Sequence, residues 1–161
     1  MCSLSLYRCI NSQDAFQYLL SKPDNLILNI SVSGNLLSAA LDDVVTSVLS
    51  IEEFSVDDCE YLQRVLTVIT EQARDIYLLE GVDTNPEVLL HEHVTSWFRF
   101  KELLLVLGFG LQQISDRWAD GKGPLAMHFS PSEVQRLVLG MFENTSKRDV
   151  LLGQIKCIEP L

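Results

Sequence analysis

The sequence predicts an all-α fold, an antiparallel bundle of about five helices. Over most of residues 37–155, apolar residues recur at alternating spacings of three and four, which is the period of one helix face. Serines followed three residues later by an acidic residue, a typical helix-start pattern, precede two of these segments. With 161 residues, 47% of them hydrophobic, the chain is long enough to bury a core as one domain.

The formal net charge of −10 argues against two classes of partner. Nucleic acids and anionic membrane surfaces both attract basic patches, which this composition disfavours. The charge is also uneven, because residues 1–96 carry 15 acidic and 4 basic side chains, whereas residues 97–161 carry 7 acidic and 8 basic ones. We therefore expect contacts with other proteins mainly in the carboxy-terminal part.

The four cysteines show no metal-binding or disulfide pattern. They lie at Cys2, Cys9, Cys59 and Cys157, without a CxxC pair, which favours reduced thiols in an intracellular compartment. The amino terminus lacks a signal-peptide pattern, and no apolar run approaches the roughly 20 residues of a membrane span. We expect a cytosolic or nuclear protein without a bound cofactor or metal.

The first part of the chain predicts two helices. Residues 1–28 are left unassigned, and the bundle is predicted over residues 29–161. Residues 25–33 favour either a strand or a buried helical turn, since short apolar runs fit both. A first helix is predicted over residues 37–51. Ser55 and Asp58 then form a capping box for a second helix.

The middle of the chain predicts one loop and one long helix. Residues 82–95 are polar and contain an Asn-Pro pair, which is typical of a long loop. From Trp97 to Trp118 the spacing of apolar residues predicts one unbroken central helix. Gly108 and Gly110 fall inside it and indicate close approach of a neighbouring helix.

An elbow is predicted next. The long helix should end at Asp120 and Gly121, with Gly121 in the left-handed conformation, followed by a Gly-Pro turn. Ser130 is the predicted N-cap of the next helix, with Pro131 in its first turn and Glu133 closing a capping box.

A last helix is predicted at the carboxy-terminal end of the chain. Asn144 or Thr145 should cap it, and Val150, Leu151 and Ile155 should form its apolar face.

Glycine-rich stretches suggest nucleotide binding only superficially. In a phosphate-binding P-loop containing Gly121 and Lys122, a glycine would stand where Asp116 is, and a Ser or Thr where Gly123 is. The P-loop also follows a strand, and none is predicted here. Residues 108–113 fail as a dinucleotide motif, because Gln113 occupies the third glycine position.

Other candidate groups have ordinary structural interpretations. His91 and His93 are two residues apart in the predicted loop, whereas zinc-binding histidines on a helix are four apart, so a solvated loop is favoured. His128 is expected to be structural or exposed. Asp116 and Asp120 lie one turn apart, so they could form an acid/base pair, but salt bridges at a helix end are the simpler interpretation.

Trp118 has two interpretations. Its place on the helical stripe predicts a core residue. Alternatively, Trp next to Arg117 is typical of a protein-binding hot spot.

Residues 100–148 closely resemble the carboxy-terminal region of the Zeste-white-ten family of centromere/kinetochore proteins. An FKEL opening, the run DRWADGKGPLA (residues 116–126), an F-S-x-S-E-V helix start and an F-x-N-T-x-x-R stretch occur in the family's order. A weaker likeness reaches back through residues 29–77, so the resemblance covers about residues 29–156. This chain departs from the family pattern in two ways. Family members are several times longer, and they differ in the connection that corresponds to residues 82–95.

The resemblance implies a scaffold and not an enzyme. Family members join Rod and Zwilch in the outer-kinetochore complex that recruits dynein and supports the spindle checkpoint. In interphase they belong to a tethering complex at the cytosolic face of the endoplasmic reticulum (ER), which receives Golgi-derived vesicles. The implied fold is that of a helical-rod tethering subunit, whose carboxy-terminal bundle docks on a large α-solenoid partner. Any membrane association would be peripheral and indirect.

Two functional hypotheses follow. The first is a non-catalytic docking bundle, whose partner contacts would lie at an exposed turn after the long helix; the candidates are Arg117, Trp118, Asp120, Lys122 and Leu125. The alternative is a phosphate-handling enzyme that uses Asp116, Asp120 and Lys122, which requires these side chains to converge in a concave pocket.

Overall fold

The computed structural model describes residues 26–78 and 85–155. Within these residues the chain forms eight α-helices and no strand, which confirms the all-α prediction. The helices are α1 (Leu26–Leu49), α2 (Val56–Ile76), α3 (Pro86–His93), α4 (Trp97–Val106), α5 (Leu111–Trp118), α6 (Pro124–His128), α7 (Pro131–Met141) and α8 (Ser146–Gln154). A 3₁₀ turn, Ala119–Gly121, follows α5.

The described residues form two compact units. The first comprises residues 26–47, 67–78 and 85–100, and the second comprises residues 48–66 and 101–155. The first unit buries an apolar core made of Ile30, Leu37, Leu41, Val45, Ile69, Ala73, Ile76, Tyr77, Leu89, Leu90, Val94, Trp97 and Phe100. The second buries Val48, Leu49, Leu66, Leu103, Val106, Leu107, Ile114, Trp118, Leu125, Phe129, Val134, Leu137, Val138, Leu151 and Ile155.

Helix α1 begins at Leu26, so the described part of residues 25–33 is helical. Of the two interpretations of this segment, the helical one is confirmed and the strand is excluded. Its segment Ile30–Leu49 is long and apolar enough, by length and composition, to cross a membrane, contrary to the sequence interpretation. Core helices meet the same criterion, and Leu37 and Leu41 of this segment are buried in the first unit. Gly34 is also buried there, where a Cβ atom would collide with the carbonyl group of His93.

The loop predicted over residues 82–95 was wrong over Pro86–His93, which form helix α3; residues 82–84 lie outside the described part. The Asn85 side chain caps this helix by accepting a 3.0 Å hydrogen bond from the Glu87 backbone N–H, and Pro86 occupies its first turn. The Asn-Pro pair is therefore a helix start, because proline lacks an N–H group that the first turn does not need. Leu90 is fully buried, which fixes α3 to the core of the first unit.

The single helix predicted from Trp97 to Trp118 was also wrong. It is divided into α4 and α5 by a turn that contains Gly108 and Gly110. Gly110 is the N-cap of α5, and its backbone N–H donates to Gln113 Oε1 at 2.8 Å. Gly108 lies against the Gln63 side chain of α2, which would collide with any Cβ atom. Gly108 thus permits the close approach of the Gln63 side chain at this turn, whereas a Cβ atom at Gly110 would make only an ordinary contact.

The predicted helix starts at Ser55, Ser130 and Thr145 are confirmed. Ser55 Oγ accepts from Asp58 N at 3.1 Å, and the Asp58 carboxylate accepts from Ser55 N at 2.9 Å. Ser130 and Glu133 make the same reciprocal pair at α7. Thr145 Oγ1 accepts from Arg148 N at the start of α8. Val150 of α8, however, is exposed and does not belong to the apolar face predicted for it.

The helix count of about five was too low because of three features. These are helix α3, the turn between α4 and α5, and a short helix, α6, inside the predicted Gly-Pro turn.

Candidate functional site

The elbow, residues 116–126, lies in the second unit and comprises the end of α5, a sharp reversal after it and the start of α6. Three successive residues adopt the left-handed conformation, with φ of 46° at Ala119, 52° at Asp120 and 79° at Gly121. The prediction for Gly121 is confirmed. Alanine and aspartate are less tolerant of positive φ than glycine is, so the surrounding packing must stabilise this turn.

Gly123 allows the chain to return over the end of α5. A Cβ atom at this buried position would collide with the backbone carbonyl of Arg117. The Gly123 N–H donates a 3.0 Å hydrogen bond to the carbonyl oxygen of Trp118, and Pro124 then starts α6. The glycine of this Gly-Pro pair is therefore required by close backbone packing and not by its own φ of −80°.

Arg117 is held by an ion pair within the fold. Its guanidinium donates from Nε to Glu102 Oε2 at 2.7 Å and from Nη2 to Glu102 Oε1 at 2.6 Å. The side chains are 31% and 10% exposed, respectively. The hydrogen bonds to Glu102 raise the pKa of the Arg117 guanidinium above its ordinary value, more than partial burial lowers it. The pair joins α4 to α5.

Glu102 was missed by the sequence reasoning, although it stands in the FKEL segment. A glutamate on the mostly apolar segment 97–107 is itself a signal, because a buried carboxylate needs a partner. Residue spacing alone could not identify that partner, since Arg117 follows on the next helix. The salt bridges predicted for Asp116 and Asp120 at the helix end are not found among the described residues. Asp116 Oδ1 instead accepts a 2.8 Å hydrogen bond from Gln112 Nε2, and Arg117 pairs with Glu102.

The five candidate partner contacts fall into two groups. Trp118 is 3% exposed and Leu125 is fully buried, and Arg117 pairs with Glu102. Trp118 thus lies in the core, the first of its two interpretations. Asp120 and Lys122 are exposed and are the members of the set that a partner could reach without rearrangement of the elbow. A role in binding remains a prediction for all five residues.

The residues proposed for phosphate chemistry do not line the pocket at the elbow. This open pocket of about 430 Å³ is lined by Trp118, Gly121, Ala126, Met127, His128, Phe129, Ser130 and Pro131. Asp116, Asp120 and Lys122 are exposed and do not line it. The convergence in a pocket that the enzyme hypothesis requires is therefore not found at this place.

The histidine pair lies in the first unit on helix α3, so its predicted place in a solvated loop was wrong. His91 Nε2 lies 3.4 Å from Glu87 Oε1, and its ring packs against Phe98 with a 4.4 Å centroid distance. Glu87 also accepts from Trp97 Nε1 at 3.2 Å and from Arg74 Nε at 2.9 Å. Within residues 26–78 and 85–155, no group of three or more metal-ligating side chains is found. His91 is thus part of a side-chain network around Glu87.

Comparison with known proteins adds to this geometry. Residues 7–155 match the family model described as the ZW10 C-terminal helical domain. The centromere/kinetochore protein zw10 homolog of Mus musculus is 33% identical over 138 residues, 83% of this chain. The Caenorhabditis elegans homolog is 29% identical over 84% of the chain, and the Drosophila grimshawi protein is 28% identical over 74%.

The chain spans only part of each relative, since the alignments cover 18%, 17% and 16% of the mouse, worm and fly proteins, respectively. The family-model match over residues 7–155 includes the elbow and the helices that support it. The family model covers more than half of the chain, and the mouse relative exceeds 30% identity over most of it. The chain therefore belongs to the ZW10 C-terminal helical domain family.

Proposed function

We propose that this chain is a non-catalytic docking domain of a centromere/kinetochore protein. The observation that carries the proposal is the family match over residues 7–155, together with relatives named as centromere/kinetochore proteins in mouse, worm and fly. The geometry of the elbow supports it, because the most distinctive side chains hold the fold together and do not converge on a pocket.

The proposed partners are the Rod and Zwilch type subunits of a kinetochore complex that recruits dynein and acts in the spindle checkpoint. We propose a second location at the cytosolic face of the ER in interphase, in a tethering complex for Golgi-to-ER vesicles. There the domain would dock on a large α-solenoid subunit. The resemblance of residues 116–126 to the family sequence supports both assignments.

The proposed contact surface is the exposed side of the elbow around Asp120 and Lys122. Both side chains are exposed, and they stand on a turn fixed by the Gly123 to Trp118 hydrogen bond. A partner that binds a preformed turn loses less conformational entropy than one that must order it. Arg117 supports this surface indirectly through its pair with Glu102.

Charge changes at the exposed positions test this surface. Lys122→Glu combined with Asp120→Asn alters the charge while keeping an Asn at the positive-φ position, which Asn tolerates. We expect the variant to lose co-purification with the α-solenoid partner while its helix content is unchanged. Lys147→Glu combined with Asp149→Asn, at two other exposed positions of the second unit, makes an equal change of net charge and should bind normally.

Two results would contradict different parts of the proposal. Undiminished binding by the elbow variant would exclude this placement of the surface. If neither Rod and Zwilch nor the ER tethering subunits co-purify with the chain from mitotic or interphase cells, the proposed partners are wrong.

A further inference from the structure

A second surface in the same unit has features of a docking site. It is formed by the linker between α1 and α2 and the first two turns of α2, and is called here the α2 surface. Two large apolar side chains lie exposed on it, Val56 at 77% and Tyr61 at 65%. Acidic residues flank them in the sequence: Glu52, Glu53, Asp57, Asp58 and Glu60 are all exposed.

The backbone beneath the α2 surface is fixed. Phe54 N donates a 2.9 Å hydrogen bond to the Gly140 carbonyl oxygen of α7. The Phe54 ring lies so close to Gly140 that a Cβ atom there would be 3.0 Å from it. The capping box of Ser55 and Asp58 fixes the start of α2. The α2 surface is therefore preformed, which reduces the conformational entropy lost on binding.

The negative charge of the α2 surface is little neutralised by basic side chains of the same segment. Residues 48–66 contain five acidic side chains and one basic side chain, Arg64. Arg64 lies 4.0 Å from Glu60, and both side chains are largely exposed, so their interaction is weak. The exposed tyrosine thus stands in a negative field, an arrangement complementary to a basic partner with an apolar side chain at its centre.

We propose that the α2 surface binds a basic, amphipathic helical segment of a protein partner. Tyr61 and Val56 would contact the apolar face of that segment, and Glu53, Asp57 and Glu60 its Lys or Arg side chains. Tyrosine is among the residues that contribute most to binding at interface centres, whereas the surrounding charges contribute to orientation and association rate. This proposal goes beyond the proposed function, because neither its residues nor its test involve the elbow.

The test uses the whole chain and a synthetic amphipathic helix of Leu and Lys as the probe. Fluorescence anisotropy would compare it with a helix of Leu and Glu in the same pattern, and with one of Ser and Lys. We expect binding of the Leu and Lys helix only. Glu53→Lys combined with Glu60→Lys should weaken its binding by about tenfold or more, as should Tyr61→Ser. Amide chemical-shift changes should centre on residues 52–64.

A matched control separates a specific surface from overall acidity. Glu143→Lys combined with Asp149→Lys places the same double charge reversal at other exposed positions of the second unit and should change binding by less than about twofold. Unchanged circular dichroism would show that each variant is folded, as expected for exposed positions. Comparable weakening by this control, equal binding of the Leu and Glu helix, or shift changes centred elsewhere would overturn the proposal.

Discussion

The Arg117 guanidinium binds both carboxylate oxygens of Glu102, joining the last turn of α5 to the middle of α4. This paired geometry is the strongest form of an arginine to carboxylate contact. The next residue, Trp118, is buried, and the chain then reverses through three left-handed residues. The most distinctive sequence segment of the chain is therefore first of all a structural elbow.

Removal of Arg117 alone should destabilise the second unit strongly. Arg117→Met would leave the largely buried Glu102 carboxylate without its cation, at a cost of about 3 kcal/mol in the free energy of unfolding. Urea unfolding followed by circular dichroism measures this cost. Adding Glu102→Leu should recover most of it, since two apolar side chains can replace a buried pair.

Lys122→Met provides the matched control for Arg117→Met. Lys122 is exposed five residues further along the same elbow, so its substitution should change stability by at most about 0.5 kcal/mol. Equal effects of the two substitutions would show that the Glu102 pair contributes little.

Gly123→Ala should disrupt the elbow by steric collision. The added Cβ atom meets the Arg117 carbonyl group, which belongs to the backbone and cannot rotate away. We expect a loss of about 2 to 3 kcal/mol in the free energy of unfolding. Gly121→Ala should cost about 1 kcal/mol, for a different reason, because its φ is 79°.

Gly153→Ala is the control for these glycine substitutions. It lies in helix α8 with nothing within 4 Å of the added atom, so the substitution should stabilise the protein by about 0.5 to 1 kcal/mol. Thermal unfolding of the three variants would give this order. A Gly123→Ala variant as stable as the parent would contradict the proposed backbone contact.

The capping box at α2 should make stability depend on pH in the acid range. Hydrogen bonds from the Ser55 hydroxyl, and secondly from its backbone N–H, lower the pKa of Asp58 below its ordinary value of 3.8. Because the pKa is lower in the folded state, the stabilisation is present above that ordinary value and is lost as pH falls through the folded-state pKa. Asp58→Asn should therefore flatten the acid side of the stability profile.

Ser55→Ala distinguishes this effect from general acid unfolding. It removes the first of the two donors to Asp58 and should also flatten the acid side, and adding Asp58→Asn to it should have little further effect. Urea midpoints measured from neutral pH to about pH 2 would show this. An unchanged acid profile in both single variants would contradict the role assigned to Asp58.

Local sequence signals predicted the structure correctly where that structure depends on one short segment. The reciprocal pairs at Ser55 and Ser130 are confirmed because a helix N-cap depends on residues within one turn. The long stripe from Trp97 to Trp118 gave a wrong prediction, since an apolar period can continue across a break. Gly108 and Gly110 marked that break but were interpreted only as a close approach of a neighbouring helix, which is confirmed for Gly108.

The candidate site was harder to predict because its organisation depends on contacts between segments. Arg117 stood out in the sequence, whereas its partner Glu102 is 15 residues away on another helix. Trp118 and Leu125 were proposed as partner contacts, but burial depends on the packing of the whole second unit. Sequence patterns therefore located the elbow but could not separate the side chains that build it from those on its surface.

Glu87 of the first unit should stabilise α3 through its three side-chain neighbours, Trp97, Arg74 and His91. Glu87→Ala removes the acceptor of the hydrogen bond from the indole N–H of Trp97, a fully buried residue, and should cost about 2 kcal/mol. Glu87→Gln should cost less, because an amide oxygen can still accept from the indole. Urea unfolding monitored by tryptophan fluorescence would measure both. Glu92→Ala, at an exposed position of α3, should leave the free energy of unfolding nearly unchanged. If it lowered that free energy as much as Glu87→Ala does, the effect would belong to helix α3 as a whole and not to the network around Glu87.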